Sequence, residues 1–483
     1  MSAITTTGRS LASLLSNVPG SFAVHDKGGT FGIDRLRDAV DAYASALTSA
    51  GVAPLDRVIV KLSRTYLDLA AIFGVAIARG IAVPVGAETP PDRLRMIAED
   101  CCAIGEVRTS DLGVCFERYG LTRVVDTDDA GDLDDVALMI YTSGSSGVPK
   151  GVVCSHSAVL SAVEGIQDRL GYVATDRIGL VLPMAFDYGL YQGFLALRAG
   201  AELFIYEEAV SGPRLGDRLE RDGITVLPSL PALTTGLVSW CQRRQIKLEQ
   251  VRLLTSTGAD FTENLASRTR EVMPNARVVP MYGLTECKRA TIHDGDPDAP
   301  HNSGRAIKGC RIEIHDDAGN ALASGEMGQV VVVGDNVMKG YWPLGDEALN
   351  ERFGVTADGA RFVRTGDRGY VDASGGLYVL GRVDDMFKIR GYRTSIGEVE
   401  DALLEVSGVT QACVQPPLQG LPYMALYEGD ITHIDLRERL SRRLELHKVP
   451  DILVQVDQLA VNANGKLDRK RIASSIRDGV YSA

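Results

Sequence analysis

Between about residues 30 and 290, short apolar runs recur with helix-length segments between them: 58–62, 81–85, 178–183, 202–206, 224–228, 251–255 and 276–281. Strand-like runs spaced in this way predict parallel sheets covered by helices, an α/β arrangement. After about residue 305 the texture changes. The runs 311–315 and 329–333 flank the hairpin-like turn Asp-Asp-Ala-Gly-Asn at 316–320, and 377–380 follows a second turn at 374–376, so this stretch reads as antiparallel. In the last hundred or so residues, 398–406 and 436–447 have helical spacing, with strand-like 411–414 and 452–456, as expected of a small α+β domain. A chain of 483 residues exceeds what one core usually accommodates. The charged, weakly apolar 381–385 is the expected boundary, giving a large domain at 1–383 and a small one at 384–483.

The most apolar stretch, 67–85, is interrupted by Asp68, Arg79 and Pro84, so it cannot cross a bilayer unbroken and reads as a buried helix running into a strand. Net charge is −12, with no long basic run, which argues against nucleic acid or an anionic membrane as the main partner. The eight cysteines form no Cys-x-x-Cys pair and no Cys/His ligand spacing. Reduced thiols and a first segment without secretory character lead to the expectation of a cytoplasmic protein.

Residues 139–153 read MIYTSGSSGVPKGVV. Apolar residues lead in, β-branched residues lead out, and between them hydroxyls and glycines end in Lys150, so a strand, a loop and a second strand are expected. Glycine permits close backbone approach, and N–H groups with hydroxyls can surround phosphate oxygens. This is not the P-loop of nucleotide hydrolases, because Pro149 precedes the lysine and Gly151 follows it, and a strand rather than a helix comes next. No Gly-x-Gly pair occurs in the sequence, which removes the usual dinucleotide fingerprint. Taken alone, the run is either a surface loop or an anion cradle.

It does not stand alone. The stretch 141–151 resembles the phosphate loop of the adenylate-forming superfamily, which includes acyl-CoA synthetases, adenylation domains of nonribosomal peptide synthetases and luciferases. Further motifs follow in the same order: Tyr282-Gly-Leu-Thr-Glu286, Arg364-Thr-Gly-Asp367, Gly381-Arg-Val-Asp384, Lys388-Ile-Arg-Gly-Tyr-Arg393 and Asn464-Gly-Lys466. The segment 77–85 also looks like that group's helix-to-strand element. The resemblance spans nearly the whole chain.

It implies two half-reactions: a carboxylate attacks the α-phosphorus of ATP, giving an acyl-adenylate and pyrophosphate, and a thiol then displaces AMP. Thr142, Ser143, Gly144, Ser145, Ser146, Gly147 and Lys150 would grip the β- and γ-phosphates. Glu286 would hold Mg²⁺, a hard cation suited to oxygen ligands. Thr285 would contact the α-phosphate, Tyr282 would pack on adenine, and Gly258 and Ala259 would cover the base edge. Asp367 would accept both ribose hydroxyls, supported by Arg382. Lys466 would reach from the small domain to bridge carboxylate and α-phosphate, neutralising charge where the pentacovalent centre forms. Asp384 falls at the hinge position, and Gly391 and Tyr392 would line the thiol tunnel. One departure is the hydroxyl residue Thr394, where an aliphatic one is commoner.

For the acid, Asp187 stands where amino-acid-activating relatives carry an aspartate for the substrate ammonium, and a buried carboxylate wants a cation. It could instead pair with an internal arginine or cap a helix. Cys287, Lys288, Arg289 and Ala290 follow Glu286, and in that pattern the residues three and four past the glutamate line the substrate pocket, where an arginine is unusual for an apolar side chain. With Asp187 on one side and Lys288 or Arg289 on the other, the pocket would suit a small zwitterion carrying a second carboxylate, aspartate-like or a β-amino acid, as in stand-alone β-amino-acid ligases. Lys288 and Arg289 could also be a surface pair facing solvent phosphate or Asp294.

The expected activity is therefore ATP-dependent activation of a small amino acid and its transfer to a carrier-protein phosphopantetheine. An acyl-CoA ligase using free CoA with an aliphatic or dicarboxylic acid is the alternative. An inactive nucleotide-binding module is disfavoured by the joint presence of Lys466, Glu286 and Asp367, and nothing favours a luciferase-like oxygenase.

Overall fold

The computed structural model describes residues 10–109, 114–119, 133, 135–143, 149–207, 213–258, 261–295, 302–382, 386–389, 392–417, 421–444, 448–462 and 466–481. The fold is α/β. One sheet takes its strands in the order Gly340–Tyr341, Pro149–Ser155, Val136–Ser143, Ile81–Gly86, Arg57–Leu62, Gly105–Arg108 and Cys115–Arg118. A second is parallel from Arg277–Tyr282 through Leu253–Ser256, Val226–Ser229, Arg177–Leu180 and Glu202–Ile205 to Ala23–Asp26, with antiparallel strands at both ends.

The helices Tyr66–Ile77, His156–Leu170 and Asp187–Ala199 share one apolar cluster with residues from both sheets. Tyr66–Ile77 is buried at every position from Tyr66 to Ala76, which is why its sequence lacks a polar face. Its one acid, Asp68, is a capping residue. It accepts the Ser63 and Thr65 N–H groups and the Thr109 hydroxyl, and burial still lifts its carboxyl to about 6. The helix runs into the strand Ile81–Gly86, as read from the sequence.

The antiparallel region is a sheet of Cys310–His315, Gly328–Gly334, Arg361–Val371, Phe353–Val355 and Leu377–Arg382, in which Asp367 lies opposite Arg382. Later in the chain, Met386–Ile389 pairs with Tyr392–Ser395, and Val409–Gln415, Met424–Gly429 and Ile452–Gln455 form another sheet. The helices Ile396–Leu404 and His433–Leu440 pack on that last sheet in their own apolar cluster. This part touches the earlier one through the helix Glu263–Val272: the Glu263 N–H donates to the Glu405 carboxylate (3.2 Å), and Asn264 Nδ2 donates to the Leu404 carbonyl (3.3 Å).

Two sequence boundaries need correction. The run 178–183 is a strand only to Leu180, because Pro183 begins a turn in which its carbonyl accepts the Phe186 N–H and launches the helix at Asp187. The helix expected at 436–447 starts at His433, behind the Thr432 cap, and ends at Leu440, where Ser441 turns its hydroxyl back to the Arg437 carbonyl. Among the described residues, no helix is long and apolar enough to cross a membrane.

Candidate active site

The strands Val136–Ser143 and Pro149–Ser155 pair antiparallel, with Thr142 opposite Lys150 and Tyr141 opposite Gly151. Thr142 and Lys150 thus leave the sheet side by side. Gly144, Ser145, Ser146 and Gly147 lie outside the described residues, as does the side chain of Ser143. Gly151 has no room for a side chain, since a Cβ would stand 2.9 Å from Tyr141 Cζ. The short strand Gly340–Tyr341 adds to the edge of this pair, Tyr341 opposite Val152. Lys150 Nζ lies 5.0 Å from the centre of the Tyr341 ring. The Tyr341 hydroxyl donates to Glu286 Oε1. Lys150 and Glu286, far apart in the chain, therefore meet through a tyrosine that sequence reading passed over.

Glu286 belongs to the 3-10 turn Thr285–Cys287, and its carbonyl accepts the Met338 N–H at 2.9 Å. Among the described residues, no group of three or more His, Cys, Asp or Glu gathers as a metal site. One anchored carboxylate fits a hard cation such as Mg²⁺ that takes its other ligands from phosphate and water, and does not fit a metal held by a protein cage.

The Tyr282 hydroxyl donates to Asp367 Oδ2 at 2.5 Å, and burial together with that carboxylate pushes the phenol well above its ordinary range. Asp367 is held from behind: its N–H donates to the Thr365 hydroxyl (3.1 Å), which donates to the Val330 carbonyl (2.8 Å). Arg382 lies across the strand pair, and Arg352 reaches the same corner through hydrogen bonds to the Arg364 and Thr365 carbonyls. Gly258 follows the strand Leu253–Ser256 with φ +91°, and a Cβ there would meet Lys466 Cε at 3.1 Å. Ala259 lies outside the described residues.

A second charged cluster is built from the start of the helix Asp187–Ala199 and the residues just after Glu286. Asp187 and Lys288 form an ion pair of 2.7 Å with about 5% and 4% of their side chains exposed. The pair lies in an aromatic box, since Lys288 Nζ is 5.8, 5.4 and 5.4 Å from the ring centres of Phe186, Tyr188 and Tyr191. Arg289 is equally buried; its guanidinium stacks 4.9 Å from the Tyr188 ring and donates to the Thr257 hydroxyl at 2.6 Å. Among the described residues no carboxylate lies within ion-pair distance of it. Arg289 adopts φ +52°, and its backbone approaches so closely that a Cβ on Gly283 would stand 2.9 Å from its Cα.

The charges sort themselves. Burial raises the Asp187 carboxyl, but Lys288, Arg289 and a Thr285 hydrogen bond more than offset it and hold it below the ordinary range. Lys288 is pushed down to about 7, first by burial and then by Arg289, against the pull of Asp187. Attraction from one acid does not balance desolvation plus neighbouring cations. Lys288 and Arg289 are thus no surface pair, and Asp294 is taken by Arg169 (2.8 Å) and Arg305 (3.6 Å) instead. The internal partner of Asp187 is a lysine, not an arginine.

Lys466 arrives from near the end of the chain. Much of the residue stays open to solvent, while its ammonium lies 5.7 Å from the Phe186 ring centre and its Cε packs on Gly258. Burial lowers its pKa, Asp187 and Glu286 oppose that, and Arg289 and Arg382 add to it. The ammonium therefore stands between the Asp187 cluster and the corner that holds Glu286 and Arg382. Asp384 and Gly391, with the side chain of Tyr392, lie outside the described residues.

The profile of the family described as "AMP-binding enzyme" matches residues 15–342. Bacitracin synthase 3 of Bacillus licheniformis is 29% identical over 490 residues, covering 96% of this chain and 8% of that protein. Pyochelin synthetase PchF of Pseudomonas aeruginosa is 31% identical over 405 residues, covering 80% of this chain and 22% of that protein. The chain thus spans a small part of the length of the curated relatives it matches. In fold it is similar to the crystal structure of ATP-bound MatB from Rhodopseudomonas palustris, with a TM-score of 0.81, 23% identity, and coverage of 97% of this chain and 98% of that one.

Proposed function

The chain belongs to the AMP-binding enzyme family, and on that premise we propose that it adenylates a small amino acid bearing a second carboxylate, aspartate-like or a β-amino acid, and passes the acyl group to the phosphopantetheine thiol of a carrier protein. One observation supports this reading: Asp187 and Lys288 form a buried ion pair, and beside them Arg289 has no carboxylate within ion-pair distance among the described residues. A zwitterion exchanges with such a pair at constant charge. Its ammonium takes Asp187, its second carboxylate takes Lys288 and Arg289, and its reacting carboxylate is left towards Lys466. An apolar acid would offer neither group with which Asp187, Lys288 and Arg289 could exchange.

In this reading Thr142, Ser143, the residues 144–147 and Lys150 hold the terminal phosphates, and Tyr282, Gly258 and Ala259 the adenine. Asp367 and Arg382 hold the ribose. Glu286 would hold Mg²⁺, which when bound would neutralise charge on the phosphates. Thr285 orients the α-phosphate, and Lys466 pulls the attacking carboxylate and that phosphate together against their repulsion. We place the domain division at Asp384 as the hinge, with residues 384–483 turning after adenylation so that Gly391 and Tyr392 meet the thiol.

A second reading is favoured by Asp187 already having a partner. If the pair stays closed, Arg289 alone faces the substrate, and a dicarboxylic acid without an amine would serve, with CoA as acceptor. Substrate-dependent pyrophosphate exchange across amino, β-amino, dicarboxylic, aryl and fatty acids separates these. Highest exchange with amino dicarboxylates supports the first reading, simple dicarboxylates the second, and preference for aryl or fatty acids overturns both. Free CoA against pantetheinylated carriers then decides the acceptor.

A further inference from the structure

Tyr341 touches both halves of the phosphate machinery and has no role in the reading above. Its position is fixed by backbone: Gly340–Tyr341 is hydrogen-bonded to the strand that carries Lys150, and the Tyr341 N–H donates to Asn350 Oδ1 at 2.7 Å. Its ring faces the Lys150 ammonium at 5.0 Å and its hydroxyl donates to Glu286 Oε1. The Arg352 guanidinium reaches the same hydroxyl, opposing the upward push of burial and Glu286 on its pKa. Asn350 in turn donates through Nδ2 to the Tyr341 carbonyl (3.0 Å), closing a two-way clamp.

A carboxylate that must present one oxygen to a cation is free to rotate unless its other oxygen is held, and a lysine at the end of a glycine-rich loop is free to swing. Tyr341 restrains both. We propose that Tyr341 is a positioning residue that sets Glu286 for the metal and Lys150 for the terminal phosphates, so that metal and phosphate sites form as one unit. Its polar edge serves the acid and its face serves the lysine, so the two functions separate by substitution. The proposal rests on the adenylation reading of Glu286.

The test is Mn²⁺ binding to the full chain with ATP, followed by the loss of the free-ion EPR signal, alongside calorimetric ATP binding without divalent metal. Tyr341→Phe keeps the ring and should raise the Mn²⁺ midpoint by about 10–100-fold, the usual effect of losing an outer-shell partner. Its metal-free ATP affinity should stay within about twofold, because the cation–ring contact remains. Tyr341→Leu should raise the midpoint similarly and also weaken metal-free ATP binding by roughly two- to fivefold. If Tyr341→Leu fails to fold, the Phe variant alone still decides. An unchanged Mn²⁺ midpoint in folded Tyr341→Phe overturns the proposal. Glu286→Gln separates the two levels. If it shifts the midpoint and Tyr341→Phe does not, only this inference fails; if neither shifts it, the assignment of Glu286 fails with it.

Discussion

Replacing Asp187 with Asn keeps the shape of the side chain and removes the only described anion facing Lys288. The consequence for the fold is small. Lys288 titrates near 7 even with Asp187 present, against an ordinary 10.5, so at neutral pH its charged and uncharged forms already have nearly equal free energy. Without Asp187 it sheds its proton, and the protein loses a buried hydrogen bond rather than gaining a stranded charge, about 1–2 kcal/mol. The consequence for a substrate ammonium is large, because it keeps its charge and finds no counter-ion. Breaking a buried pair from that side costs roughly 3–5 kcal/mol, which is about two to four powers of ten in kcat/KM. Pyrophosphate exchange should therefore drop by about that factor for an amino acid and by less than about tenfold for its deaminated analogue, with the thermal midpoint little changed. Equal losses for both acids would refute the zwitterion exchange.

Three further outcomes are expected. Lys466→Ala should nearly abolish adenylate formation, by roughly 3–4 kcal/mol or more as for comparable electrostatic groups, while sparing thioester formation from a supplied adenylate; both half-reactions falling together in quench-flow would count against a lysine serving only one. Lys288 has a folded pKa of about 7, below its unfolded value, so the native state binds fewer protons than the unfolded one between about 7 and 10.5. Stability from this group should rise with pH across that window, whereas kcat/KM for an acid with a second carboxylate should fall as pH rises through about 7, a limb that Lys288→Met removes. Gly200→Ala places a Cβ 1.5 Å from the Pro19 carbonyl oxygen at a residue with φ +70°, and urea titration should show a loss of about 2 kcal/mol or more.

Much of the architecture was legible because parallel strands buried on both faces leave uninterrupted apolar runs, and 58–62 and 81–85 match observed strands almost residue for residue. Failures fell where local geometry outranked hydrophobicity. Val181 and Leu182 continue an apolar run but are drawn into the turn that starts a helix, and nothing in their side chains announces it. In the site, the ordered motifs named Glu286, Asp367 and Lys466, while the partnership of Asp187 with Lys288 was not readable, since a lysine carries no mark of its counter-ion in sequence. Tyr341 was invisible for a related reason. A tyrosine between a glycine and a tryptophan is unremarkable until an edge strand lays it beside Lys150 and Glu286.

The turn from Thr285 to Arg289 has a practical corollary. Five consecutive residues carry Glu286, which accepts from Tyr341, and the buried cations Lys288 and Arg289, and the left-handed Arg289 packs closely against Gly283. A protein engineer seeking a new substrate preference cannot exchange 288 and 289 as free cassettes, because any backbone adjustment there is transmitted to Glu286. The helix face bearing Asp187 is tied to the same turn, because Asp187 is ion-paired with Lys288 at 2.7 Å, so a change on either element is felt by the other.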